Sequence, residues 1–212
     1  GVKALEGREQ VESLLLSDGE RIPAELVLFA VGVIPNSEIA EEAGVDVNDG
    51  ILVDASLRST VPEVWAAGDV ARFPDPYAGR SRRLEHYGSA EATGYLAGRN
   101  AAGSGEGFNM LPYVWSDIGD IRVDIAGDEG GWEKALLRGS PEEVVGEKPS
   151  FVLLGTRDNR LVSYFAVNTS DGDRSALQLL IKQGADLSGR SDALGDLSRP
   201  LQEIAAEILT LQ

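Results

Sequence analysis

Residues 26–31, Leu26-Val27-Leu28-Phe29-Ala30-Val31, form an unbroken apolar run that is closed by Gly32 and Pro35. The run has the length of a strand, and its lack of polar alternation suits a strand buried on both faces. Strands of that kind belong to sheets covered by helices on each side, so the run predicts an α/β fold. The rest of the chain fits such a fold. It has 212 residues, 42% hydrophobic and 25% charged, which is the mix of a globular chain of one large or two small domains.

Charge and composition exclude several functions. Lys plus Arg number 19 against 35 Asp plus Glu, a formal net charge of −16. An excess of that size disfavours nucleic acid and anionic membrane surfaces as partners, since both attract positive charge. The excess is spread over both halves of the chain. Cys is absent, which removes disulfides, thiolate nucleophiles and iron–sulfur clusters held by this chain. A single histidine, His86, disfavours a histidine-based metal site. No apolar run approaches the ~20 residues of a membrane span. Gly1 in place of an initiating Met reads as a processed or truncated chain, and the expected location is cytoplasmic.

Local signals divide the chain. Residues 1–36 read as β-rich, with a turn at Ser17-Asp18-Gly19-Glu20. A short helix is predicted over 37–44, a strand at Ile51-Leu52-Val53 and another at Val64-Trp65-Ala66-Ala67. Residues 72–83 read as a Pro- and Arg-bearing loop. A helix is predicted from Tyr87 to Ala101, and its small residues Ala90, Gly94, Ala97, Gly98 and Ala101 share a face open to close approach. Gly103-Ser104-Gly105-Glu106-Gly107 is the best boundary signal. Beyond it, Arg122–Ile125 alternates, Ser150–Leu154 and Leu161–Val167 read as a hairpin, Arg174–Gln183 as an amphipathic helix, and Ser198 as the cap of a final helix to about Leu211.

One segment combines a strand end with a carboxylate: Ala66-Ala67-Gly68-Asp69. Taken alone, it reads as a turn closed by an Asx-type bond. At the C-terminal edge of a parallel sheet, the same Asp would accept bonds from ligand hydroxyls, with Gly68 admitting close approach. The surrounding segments favour the second reading. Ala-Val-Gly-Val-Ile-Pro-Asn at 30–36, Asp49-Gly50-Ile51-Leu52-Val53-Asp54, and the stretch from Arg58 to Ala71 containing Ala67-Gly68-Asp69-Val70-Ala71 together resemble the pyridine nucleotide–disulfide oxidoreductase superfamily. Leu84-Glu85-His86-Tyr87-Gly88-Ser89-Ala90 and Tyr113-Val114-Trp115-Ser116-Asp117 are similar to its branch of ferredoxin, rubredoxin and putidaredoxin reductases and apoptosis-inducing factor.

The resemblance implies an architecture and a set of roles. Residues 1–36 would end an NAD(P)-binding domain, 37–103 would be the second segment of an FAD-binding domain, and 104–107 a linker. Residues 108–212 would form a small α+β C-terminal interface domain after these partial Rossmann-like domains. Asp69 would bond the ribityl chain of FAD. Gly32 would lie near the nicotinamide nucleotide. Glu85, His86, Tyr87 and Ala90 would border the flavin ring, and Trp115 would flank it. The helix from Tyr87 would aim its positive N-terminal end at the flavin. The implied activity is electron transfer from NAD(P)H through FAD to a ferredoxin- or rubredoxin-type carrier, with no acid–base catalyst in this chain. The region after Asn109 holds no His, which disfavours the dithiol chemistry of glutathione reductase.

Neither Gly-x-Gly-x-x-Gly motif of that superfamily is present, so the chain is expected to be a C-terminal half that binds FAD weakly or not at all and does not turn over. Arg72, Arg80, Arg82 and Arg83 form a basic island on an acidic chain. They read either as a docking patch for an acidic carrier protein or as arginines paired with Asp75 and its neighbours. The alternative to a reductase is a non-enzymatic module, a homodimer or partner-binding scaffold, in the manner of apoptosis-inducing factor.

Overall fold

The first 34 residues build an antiparallel meander in the computed structural model, which describes residues 1–142 and 148–211. β1 (Val2–Gly7), β2 (Val11–Leu16) and β3 (Arg21–Pro23) pair in sequence order. The predicted turn joins β2 to β3, where the Leu16 N–H donates to the Glu20 carbonyl at 2.8 Å. Gly7 has a positive φ, and a Cβ there would fall 1.9 Å from the Gln10 carbonyl oxygen, so the β1–β2 connection requires glycine.

Residues 26–31 form no strand, contrary to expectation. Leu26, Leu28, Phe29 and Val31 are 86, 87, 64 and 87% exposed. A strand buried on both faces needs neighbours on both edges to receive its N–H and C=O groups. Among the described residues of this unit, Gly1–Ile34, no strand lies beside the run.

The second unit, from Pro35 onward, is mixed α/β, as expected. α1 (Glu38–Glu42) ends at Gly44, whose φ is positive. β4 (Ile51–Leu52) runs parallel to β5 (Ala71–Asp75), and β6 (Arg80–Arg82) returns antiparallel to β5. The predicted loop at 72–83 is therefore a hairpin. Pro74 and Pro76 demote this stretch in a sequence reading. The turn is instead closed by the buried Asp75 carboxylate, which accepts from the backbone N–H groups of Tyr77 and Ala78 at 2.8 and 3.3 Å. The predicted strand at 64–67 is a single bridge, Arg58 to Trp65, because its backbone bonds are taken locally by residues 57–59.

α2 spans Tyr87–Ala101, as predicted, and buries Ser89, Thr93, Ala97 and Asn100. The Gly94 and Gly98 side is open, with nothing within 4 Å of where a Cβ would stand. The Gly-rich stretch that follows is tied down by Asn100. Its Nδ2 donates to the carbonyls of Ser56 and Glu106, both at 2.8 Å, and its Oδ1 accepts from Ser104 Oγ and the Glu106 N–H. The Phe108 ring then packs on Phe73, with 4.6 Å between centroids.

The C-terminal region is a five-stranded antiparallel sheet in the order β7-β8-β11-β10-β9. Its strands are β7 (Tyr113–Ile118), β8 (Ile121–Gly127), β9 (Lys134–Ser140), β10 (Ser150–Arg157) and β11 (Arg160–Val167). The predicted β10–β11 hairpin turns through Asp158 and Asn159, both at positive φ, a mirror-image turn whose twist matches the strands. α3 (Asp171–Gln183) starts where Ser170 Oγ accepts the Asp173 N–H and stops at a left-handed Gly184.

α4 (Leu201–Thr210) begins at Pro200 rather than at the predicted cap Ser198. The Ser198 hydroxyl and N–H both donate to the Asp196 carboxylate, at 2.6 and 2.9 Å, which holds Ser198 in a turn before the helix. The two helices cover one sheet face, so Leu154, Tyr164 and Ala166 meet Leu177, Leu180, Ile204 and Ile208 in a closed core. Burial pushes the Tyr164 hydroxyl up to about 12.

Candidate functional site

The predicted site residues of the second unit gather around the turn before β5 and the start of α2. Gly68–Val70 is a single 3-10 turn, and Gly68 adopts φ +73, a conformation that L side chains rarely take. The Gly68 N–H donates to Thr93 Oγ1 at 2.9 Å, and that hydroxyl donates to the Ser89 carbonyl one turn back at 2.7 Å. Thr93 is fully buried and fastens the turn to α2. Sequence reasoning missed it. The available signal was a β-branched hydroxyl residue in mid-helix, where a bond to the i−4 carbonyl is its usual recourse. Ala90 faces Gly68, its Cβ 3.9 Å from where a Gly68 Cβ would lie.

Asp69 stands exposed beyond this junction. Its carbonyl oxygen accepts from Arg83 Nη1 at 2.9 Å, and the same guanidinium reaches Glu85 at 2.8 Å and Asp49 at 3.2 Å. Glu85 is thereby drawn into an ion pair beside the turn. His86 is the N-cap residue of α2 by backbone geometry, and its carbonyl accepts the Ala90 N–H. Its ring makes no cap bond. Tyr87 opens the helix and is largely exposed. The first-turn N–H groups of α2 have no partner within the helix, and they carry its positive end.

β7 runs beside α2 and carries Trp115, which is 47% exposed. Gly68, Asp69, Glu85, His86, Tyr87, Ala90 and Trp115 thus belong to one unit, whereas Gly32 lies in the other, in exposed coil with φ +84. The set fits a flat, hydroxyl-bearing ligand. An exposed carboxylate accepts hydroxyls, a free helix end offers donors, Gly68 and Ala90 leave room, and an indole offers a face.

The four arginines are committed to carboxylates of the chain itself. Arg80 grips the buried Asp128 through two bonds of 2.6 and 2.8 Å. Arg82 Nε donates to Asp75 at 2.7 Å, while Arg72 and Arg83 share Asp49. Arg157 joins Asp128 at 3.1 Å, so one carboxylate ties the β5–β6 hairpin to the C-terminal sheet. Burial works against the Asp128 charge, yet the bonds from Arg80 and Arg157 outweigh it and hold this carboxyl below its usual range. Among the described residues no cluster of three or more metal-ligating side chains occurs, and no helix is long and apolar enough to cross a membrane.

Comparison with known proteins accounts for both halves of this arrangement. Residues 1–94 match the family described as pyridine nucleotide-disulphide oxidoreductase, and residues 113–205 the family described as reductase C-terminal. The ferredoxin–NAD(+) reductase component of the anthranilate 1,2-dioxygenase system of Burkholderia cepacia is 35% identical over 173 residues, 82% of this chain and 41% of that protein. Putidaredoxin reductase of Pseudomonas putida is 29% identical over 199 residues, 94% of this chain and 45% of that one. The crystal structure of a covalent putidaredoxin reductase–putidaredoxin complex superposes with a TM-score of 0.86 at 28% identity, over 99% of this chain and 49% of that one. The chain spans about half the length of the relatives it matches. With both matched segments in the same order as its fold, the chain belongs to the pyridine nucleotide-disulphide oxidoreductase family, among members that carry a reductase C-terminal domain.

Proposed function

We propose that this chain supplies one wall of the FAD site of a cytoplasmic NAD(P)H-dependent reductase whose acceptor is a ferredoxin- or rubredoxin-type carrier protein. The observation that supports this reading is the exposed Asp69 directly after Gly68, which faces Ala90 and is bonded to Thr93 in the first two turns of α2. The names of the relatives support the acceptor class.

FAD held there would supply the hydride-accepting and single-electron-releasing chemistry of such a reductase. In this reading the chain's residues bind and orient it. Asp69 accepts hydroxyls of the ribityl chain. The α2 end favours negative charge on the facing edge of the ring. Trp115 shields one side of the ring, with Glu85, His86 and Tyr87 along its border. Gly32 serves the nicotinamide nucleotide.

Titration of the chain with FAD, followed by flavin fluorescence, tests the reading. Weak quenching is expected, because no glycine-rich phosphate turn is present to add affinity. Asp69→Ala should weaken it by about tenfold, the value of one charge-assisted hydrogen bond. Equal quenching of the two proteins would count against the site.

A further inference from the structure

Trp115 sits on β7 directly opposite Asp124 of β8, and Tyr113 occupies the same face of β7 two residues earlier. The Tyr113 and Trp115 rings stack, with 5.8 Å between centroids and 25° between planes. The Tyr113 hydroxyl donates to the Asp124 carboxylate and accepts from Arg122 Nη2 at 3.2 Å. Asp124 is fully buried and held from two sides, by Arg122 Nε at 3.0 Å and Arg174 Nη1 at 3.4 Å. A buried carboxylate clamped by two guanidiniums is a rigid anchor, because any movement would expose an unpaired charge to an apolar interior.

This anchor answers a mechanical problem. Among the described residues β7 is an edge strand, paired only with β8. A half-exposed indole on an edge strand is free to change rotamer unless something on its own face restrains it. The stack on Tyr113 supplies that restraint, and the bond to Asp124 keeps the phenol ring itself from turning.

We propose that Tyr113, tethered to Asp124, is a positioning residue that sets the orientation of the Trp115 indole where it meets the flavin. The inference rests on the flavin placement proposed above. Neither Tyr113 nor Asp124 touches the ligand in this scheme; both act through Trp115.

Time-resolved fluorescence anisotropy of Trp115 tests it, in the 212-residue chain carrying Trp65→Phe and Trp132→Phe so that one indole remains. In this background Tyr113→Leu should lower the ratio of fixed to freely turning indole by about fivefold, the worth of an aromatic pair. Tyr113→Phe keeps the stack and drops the tether, so it should move the ratio the same way by less. An unchanged anisotropy in Tyr113→Phe and Tyr113→Leu, both with parental circular dichroism, would overturn the proposal. Should Tyr113→Leu fail to fold, Tyr113→Phe decides alone. A role in stability only would lower the melting temperature and leave the anisotropy alone. Adding FAD separates the two readings. If the variants free the indole but FAD quenches Trp115 in none of the proteins, the positioning stands and the flavin placement fails.

Discussion

Residues 26–34 and the five-stranded sheet are both rich in aliphatic and aromatic side chains, yet they meet opposite fates. In the sheet, α3 and α4 fold back over the strands, and Leu154, Leu177, Leu180 and Ile204 lose nearly all contact with water. In the N-terminal run, Leu26, Leu28, Val31 and Ile34 stay open. The difference lies in what the chain itself can bring alongside. The β7–β11 sheet has every strand's neighbour within ~50 residues and a helix pair directly after it, so its backbone bonds and its cover are both supplied nearby in the chain. The run at 26–31 reads as an inner strand, but it has no edges to pair with in its own unit. Apolar sequence therefore creates a demand for burial; neighbouring elements decide whether it is met.

That contrast can be broken at its strong end. Leu177→Ala, in the centre of α3, should cost about 2–5 kcal/mol in urea unfolding, through lost burial and the cavity left behind. A cost below about 1 kcal/mol would mean that the C-terminal core is looser than its burial implies.

Next in size is the ionic tie between the β5–β6 hairpin and the sheet. Asp128→Asn leaves Arg80 and Arg157 facing a neutral side chain and should cost about 3 kcal/mol. The pH dependence has a defined sign. A carboxyl held below its usual range stabilises the fold above its unfolded pKa and loses that contribution as the pH falls through its folded pKa. Stability of the parent should thus decline below about pH 4, and Asp128→Asn should flatten that part of the curve. Identical acid limbs would show that the tie carries no net stability.

Smaller again is the Asn100 clasp on the Gly-rich stretch. Asn100→Ala removes four hydrogen bonds, three that hold residues 104–106 against α2 and one to the Ser56 carbonyl. The expected cost is about 1–3 kcal/mol, since the Ser56 and Glu106 carbonyls lose a buried donor. Proteolysis should shift to residues 103–107. An unchanged cleavage pattern would mean that the stretch is open already.

The smallest effect belongs to the open run. Leu28→Asp should change the unfolding free energy by no more than about 0.5 kcal/mol, as expected of a side chain already in water. A large loss would mean that residues 26–31 are buried in solution against something further, and would erase the contrast.

Much of this was legible in the residues. α2 is legible end to end because a run of helix-compatible residues follows His86 and stops at the Gly-rich stretch. α3 is legible from Arg174 onward, by its amphipathic pattern and the closing Gly184, and the β10–β11 hairpin by its turn residues, while the first turn of α3 behind the Ser170 cap is not. The gathering of Gly68, Asp69 and Ala90 was legible only by resemblance. The hairpin at 71–82 is hidden by its prolines, and Tyr113, Asp124 and Asp128 carry no local signal, because their partners lie 11 to 48 residues away.

By itself, then, the sequence determined local conformation: where chain direction reverses, where helices start and stop, and which segments prefer to leave water. These follow from steric and hydrogen-bond preferences that span only a few residues. Tertiary structure alone decided which carboxylates became buried anchors, that the arginines of residues 72–83 pair inward, and that the apolar run at 26–31 remains uncovered. Those outcomes depend on which groups meet across the fold. Charge pairing and burial are properties of the meeting, and no short stretch of sequence contains it.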